Sequence, residues 1–156
     1  MKDKRAIALA LRRYLIEQFP SREYRAWFGC SAEFMRDFFA AQFGDRYDWV
    51  GYPEKWRIGH LLALDSFVKD EEWLAWNWGN LVLLDVTEAR SRVSLDRALR
   101  ILSDRCKIFP ENHVLGQLIV RAYALREQKQ HIDVKKMMDL RNRYVQEHWN
   151  VSDAAK

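Results

Sequence analysis

The chain reads as an α+β protein, mostly helical, with a two-stranded hairpin held between N-terminal and C-terminal helices. Three observations predict this. Apolar residues recur at helical spacing near both ends of the chain. Two short apolar runs in the middle, one ending at His60 and one over 80–84, are brief enough for strands. The rest of that middle is rich in turn residues and tryptophan.

At 156 residues, 49% of them apolar, one domain with one core is expected. Its parts are helices over 1–45, a hairpin-bearing centre over 46–92, a helical extension over 93–150 and a frayed tail over 151–156. Spread-out charge argues against disorder. There is no apolar run long enough for a membrane span, and Arg12 and Arg13 interrupt the only signal-like stretch. A soluble, cytoplasmic protein is expected. Cys30 and Cys106 are far apart and lie in no metal-like spacing, so two buried thiols are expected. No internal repeat is visible.

Each element follows from local chemistry. Ile7, Leu11, Tyr14, Leu15 and Gln18 share one face of a helix over 4–18, opposite Arg12, Arg13 and Glu17. Phe19-Pro20-Ser21 stops it. Gly29 permits a turn and Ser31 caps a second helix, with Glu33 in its first turn. Phe34, Phe38 and then Ala41 or Gln42 form its inner face, with Met35 and Phe39 beside it. Gly44 ends it. Gly51 and Pro53 break the connection that follows. Five of the seven tryptophans fall between Trp49 and Trp78, and they are expected to build a core for an irregular region rather than stack on bases.

After the second strand, Asp85 or Thr87 caps a helix that opens near Val86 and runs through Arg90. Ser94 caps the next, with Leu95, Ala98, Leu99, Leu102 and Cys106 inside, and Pro110 closes it. Leu115, Leu118, Ile119, Ala122 and Leu125 mark another helix. Asp133 caps a last one, with Val134, Met137, Leu140 or Arg141, Tyr144 and Val145 along one side.

Charge is uneven. Residues 1–28 carry a net +4, residues 29–90 a net −5 and residues 91–156 a net +5. Basic side chains suited to phosphates therefore sit in the flanks. Candidate nucleic-acid contacts are Arg12, Arg13, Arg22 and Arg25, then Arg90, Arg92, Arg97 and Arg100, then Lys135, Lys136, Arg141 and Arg143. The acidic, tryptophan-bearing loop with Asp65, Asp70, Glu71, Glu72, Trp73 and Trp76 is the candidate protein contact. His113, His131 and His148 have no partners at ligand spacing.

An ordered set of motifs runs through residues 27–92. Gly29-Cys30-Ser31 precedes Gln42-Phe43, then Trp49 and Gly51, then Trp56-Arg57-Ile58-Gly59-His60, Ser66-Phe67 and Gly79-Asn80-Leu81-Val82-Leu83. The set resembles the phage-type HNH endonucleases, whose core is a ββα unit around one metal ion. The resemblance implies that His60 matches the general base and Asn80 the residue that ties down the loop and aims the His ring. It also implies metal ligands at position 59 and on the following helix at position 89. Those positions hold Gly59 and Ala89, which offer no side-chain donor. Prolines of the family stand as Ala63 and Val82. A relocated site would draw on Asp85, with Glu88 and Asp65, and would suit Mg²⁺ or Mn²⁺.

The expectation is a catalytically inactive, phage-derived protein without a cofactor. It would act by binding a host or phage protein, with the vestigial pair His60 and Asn80. The alternatives are a DNA-binding protein on the same scaffold, and a metal-dependent endonuclease with moved ligands.

Overall fold

The computed structural model describes residues 4–17 and 22–154, with side chains given up to 148 apart from 132. Helix α1 spans Lys4–Ile16 and buries Ile7, Leu11, Tyr14 and Leu15, the face expected from spacing. The expected stop at Phe19-Pro20-Ser21, and Gln18 with it, lie outside the described residues. A short helix not foreseen from the sequence, α2, spans Arg22–Phe28 and buries Phe28. Tyr14, Tyr24 and Phe28 pack their rings together there.

Helix α3 spans Ala32–Ala40, and the Ser31 side chain accepts the Phe34 N–H as expected of a cap. Its buried face differs from the expected one. Met35 and Phe39 are fully buried, while Phe34 and Phe38 are only half-buried. The face is chosen by Trp56, against which Phe39 packs, and spacing alone does not contain that information. Gly44 takes a positive φ of 53°, four residues after the helix has ended, in the turn beyond it.

Strands β1, Trp56–His60, and β2, Leu81–Asp85, pair antiparallel with Trp56 opposite Asp85 and His60 opposite Leu81. The second strand thus begins one residue later than expected, because Asn80 belongs to a 3-10 turn over Trp78–Asn80. Between the strands lie two further 3-10 turns and a single-turn helix α4, Glu72–Ala75. The tryptophans build the core here. Trp56, Trp76 and Trp78 are buried, and Trp56 packs against Phe43, Trp49 and Tyr52.

The helix expected after β2 is absent. Residues 86–94 form turns, with the Glu88 and Ala89 N–H groups both donating to the Asp85 carbonyl at 2.9 and 3.0 Å. Asp85 does cap this turn, accepting from the Thr87 N–H and hydroxyl. The turn does not propagate, and Ser94 starts afresh by capping α5, Leu95–Ile108. Helix α5 packs Ala98, Leu99 and Leu102 against Leu115, Leu118 and Ala122 of α6.

Helix α6 runs unbroken over His113–Ala154. The two helices and frayed tail expected there are one element; residues 155 and 156 lie outside the described set. No Gly or Pro stands between Gln117 and Asn150 to stop it, and an interior Asp133 costs a helix little. Cys30 and Cys106 are free and half-buried rather than buried. No described helix is long and apolar enough to cross a membrane.

Candidate functional site

The site is built by the hairpin and the loop between its strands. Asn80 is fully buried. Its amide oxygen accepts the Leu62 N–H at 2.9 Å, and its amide nitrogen donates to the carbonyls of Leu62 and Ala75 at 3.1 and 2.9 Å. One side chain therefore ties the exit of β1 to the end of α4. Its own carbonyl accepts the Leu61 N–H at 2.8 Å. Only an amide at position 80 supplies this acceptor and two donors together.

His60 ends β1 and stands edge-on to Trp76, with ring centroids 4.6 Å apart. Its Nε2 is shielded from solvent and has no hydrogen-bond partner among the described residues. Burial first, and the nearby Lys4 ammonium second, push its pKa down to about 4. The imidazole is therefore neutral at physiological pH. A cleft of about 570 Å³ opens beside it, lined by Lys4, Gly59, Asp65, Ala89, Arg90 and Arg92 among others. Positions 59, 60 and 89 line this cleft, while Asn80 is fully buried and does not reach it.

They do not fit a divalent metal. Ala89 carries no donor. Gly59 faces Leu84, and a Cβ there would come within 2.3 Å of Leu84 Cδ1. The three relocated candidates are committed elsewhere. Asp85 accepts from Tyr47 at 2.7 Å and from Thr87, with Arg46 3.8 Å away. Those hydrogen bonds, the Thr87 backbone donor first, hold its carboxyl down at about 2. Asp65 pairs with Arg92, and Glu88 lies 3.7 Å from Arg97. Among the described residues no three His, Cys, Asp or Glu side chains gather to hold a metal ion.

No family model, curated protein or solved structure matches the chain.

The acidic loop is only partly open. Glu71 pairs with Arg121, whose guanidinium also donates to the Ser66 carbonyl and lies over Phe67. Trp76 is buried against His60, and Glu72 buries an oxygen with no partner among the described residues. Asp70 and Trp73 remain exposed, as does Asp65 beside its Arg92 partner. The basic candidates lie on separate elements. Arg12 and Arg13 are exposed on α1, and Arg22 and Arg25 on α2. Arg90 and Arg92 rim the cleft, while Arg97 and Arg100 lie on α5. Lys135, Lys136, Arg141 and Arg143 lie farther along α6, beginning about 15 Å beyond Leu125 at the helical rise per residue.

Three residues make contacts at the site that had no local signal in the sequence: Trp76, expected as a partner contact, packs on the imidazole, Lys4 lies near it, and Leu84 stands behind Gly59. Each reaches the site through a fold-level contact. A fourth feature is the outer part of α6. Every described side chain over 127–148 is exposed. These include Val134, Met137, Met138, Leu140, Tyr144 and Val145.

Proposed function

We propose that this chain is a non-catalytic binding protein on a degenerate, phage-derived HNH-like hairpin, and that its partner is a host or phage protein. The observation that carries the proposal is the outer arm of α6. Val134, Met137 and Met138 stand three and four apart, and Tyr144 and Val145 follow Met137 and Met138 by seven, so the five share one stripe with Arg141 in its middle. Met137 is 65% exposed and Tyr144 61%. Most helical stability in proteins comes from packing of an apolar face, and every described side chain of this arm is exposed. An apolar stripe on it suits a helix laid into a groove of another protein. Trp73 and Asp70 add a second exposed contact at the hairpin loop.

The hairpin supports the non-catalytic half of the reading. Phosphodiester hydrolysis without its metal loses several kcal/mol of transition-state stabilisation. A general base contributes about 10²–10⁴-fold and does not replace that against so slow a background. The His60 ring packs edge-on against Trp76, and its Nε2 is shielded from solvent although the residue lines the cleft.

The test is affinity capture from the native cell, with and without nuclease treatment, using the full chain and a Met137→Glu/Tyr144→Glu variant. A nuclease-resistant protein retained by the first and lost by the second is the expected result. Capture of the same set by both, or only of nuclease-sensitive material, would reject the reading.

A second reading, DNA binding without cleavage, draws on Lys4, Arg90 and Arg92 around the cleft. It requires binding that weakens steeply with salt. Nicking of plasmid in Mg²⁺ or Mn²⁺, abolished by His60→Ala, would instead establish an endonuclease and sink both.

A further inference from the structure

Another concavity lies between α3 and α5. It encloses about 460 Å³ and is walled by Phe34, Phe38, Val82, Ile101, Ile108 and Phe109. That volume falls in the range of small-ligand sites and is too small for a folded segment. Trp78 closes it from behind, edge-on to Phe34, Phe38 and Phe109.

One cation faces this apolar chamber. Arg105 is 6% exposed, the most buried guanidinium among the described residues. Its Nη1 donates to the Gly79 carbonyl at 2.6 Å, and its plane stands 4.8 Å over the Phe38 ring. Among the described residues no carboxylate lies within ion-pair reach of it, and no other acceptor takes its remaining N–H groups. Asp104 turns instead toward Lys107, 3.9 Å away, and Asp37 is exposed. Screening weakens those two rim carboxylates, while the buried guanidinium keeps its full field. Burial draws the Arg105 pKa down to about 10. A buried charge without a counter-charge is destabilising, and guanidinium recognises carboxylate through paired N–H donors.

We propose that the α3–α5 groove binds a small amphipathic carboxylate, its head on Arg105 and its apolar body along Phe34, Phe38 and Ile108. The site is separate from the hairpin cleft and from the α6 arm, and it does not depend on the partner reading.

The probe is decanoate below its micelle concentration, titrated calorimetrically into the full chain, with decanol as the uncharged control. Saturable binding of one decanoate per chain is expected, tighter than decanol by about tenfold or more, the scale of one charge-assisted contact. Arg105→Gln keeps a donor for Gly79 and removes the charge, so it should bring the two ligands level. Ile108 is 70% exposed at the mouth, so Ile108→Glu leaves the fold intact and should abolish decanoate binding even where the Arg105 variant fails to fold. Absence of saturable binding, equal affinity for decanol, or undiminished binding to Ile108→Glu overturns the proposal.

Discussion

A Cβ at position 59 would come within 2.3 Å of Leu84 Cδ1 and 3.1 Å of its Cγ, and Leu84 is 4% exposed. Any side chain there must push a packed leucine aside. Gly59→Ala should therefore destabilise the chain by about 1–3 kcal/mol in urea unfolding, the usual cost of overpacking. At the next residue the sign of a pH effect is fixed. The His60 imidazole takes its proton at 6.5 when unexposed to the fold and only at about 4 within it. Between those values the unfolded state binds the extra proton, so stability rises with pH. The contribution is complete above pH 6.5 and is lost as pH falls toward 4. It amounts to at most ~3 kcal/mol. His60→Leu should flatten that part of the stability curve. Asp85, held at about 2, acts only below its ordinary 3.8 and leaves this window untouched. Asn80→Ala would strand the Leu62 N–H and two carbonyls in the core, a loss of about 3 kcal/mol or more.

At the scale of elements, the chain shows where capping signals suffice and where they do not. Ser31 and Ser94 start α3 and α5 as their chemistry requires. Asp85 starts a turn by the same chemistry, yet the turn stops, because β-branched Val86 and Thr87 favour helix weakly and Val93 is drawn onto the core. The longest element has the least support. Residues 113–125 of α6 contribute Leu115, Leu118 and Ala122 to the core, whereas the described side chains of the arm contribute none. Deleting residues 127–156 should shift the stability of the body by no more than about 0.5 kcal/mol, the range of surface changes. In the intact chain, amides of the arm should exchange far faster than those of 113–125, and should become protected only when a partner is present.

Across the whole molecule, what could be read from the sequence was what local spacing encodes. The inner faces of α1 and α5 and the hairpin follow from residue pattern, whereas the bracing role of Asn80 was implied only by the resemblance. The rest depends on neighbours distant in sequence. Met35 and Phe39 are preferred over Phe34 and Phe38 because Trp56 sits beneath α3. The displaced pair then walls the groove above Arg105. His60 is neutral because burial against Trp76 of the inter-strand loop, and then Lys4 of α1, disfavour its charged form. One continuous α6 replaces two helices because Asp133 suits a cap but is not a break. Among the described residues the hairpin gathers no set of side chains to hold a cation, and its half-buried imidazole is uncharged at neutral pH. The direct measurement is the His60 ring signal in a ¹⁵N-edited spectrum as Mn²⁺ is added stoichiometrically at neutral pH. A ring that stays neutral, with no paramagnetic broadening, is the expected result. Selective broadening of the His60 ring signal at one equivalent of Mn²⁺ would contradict it.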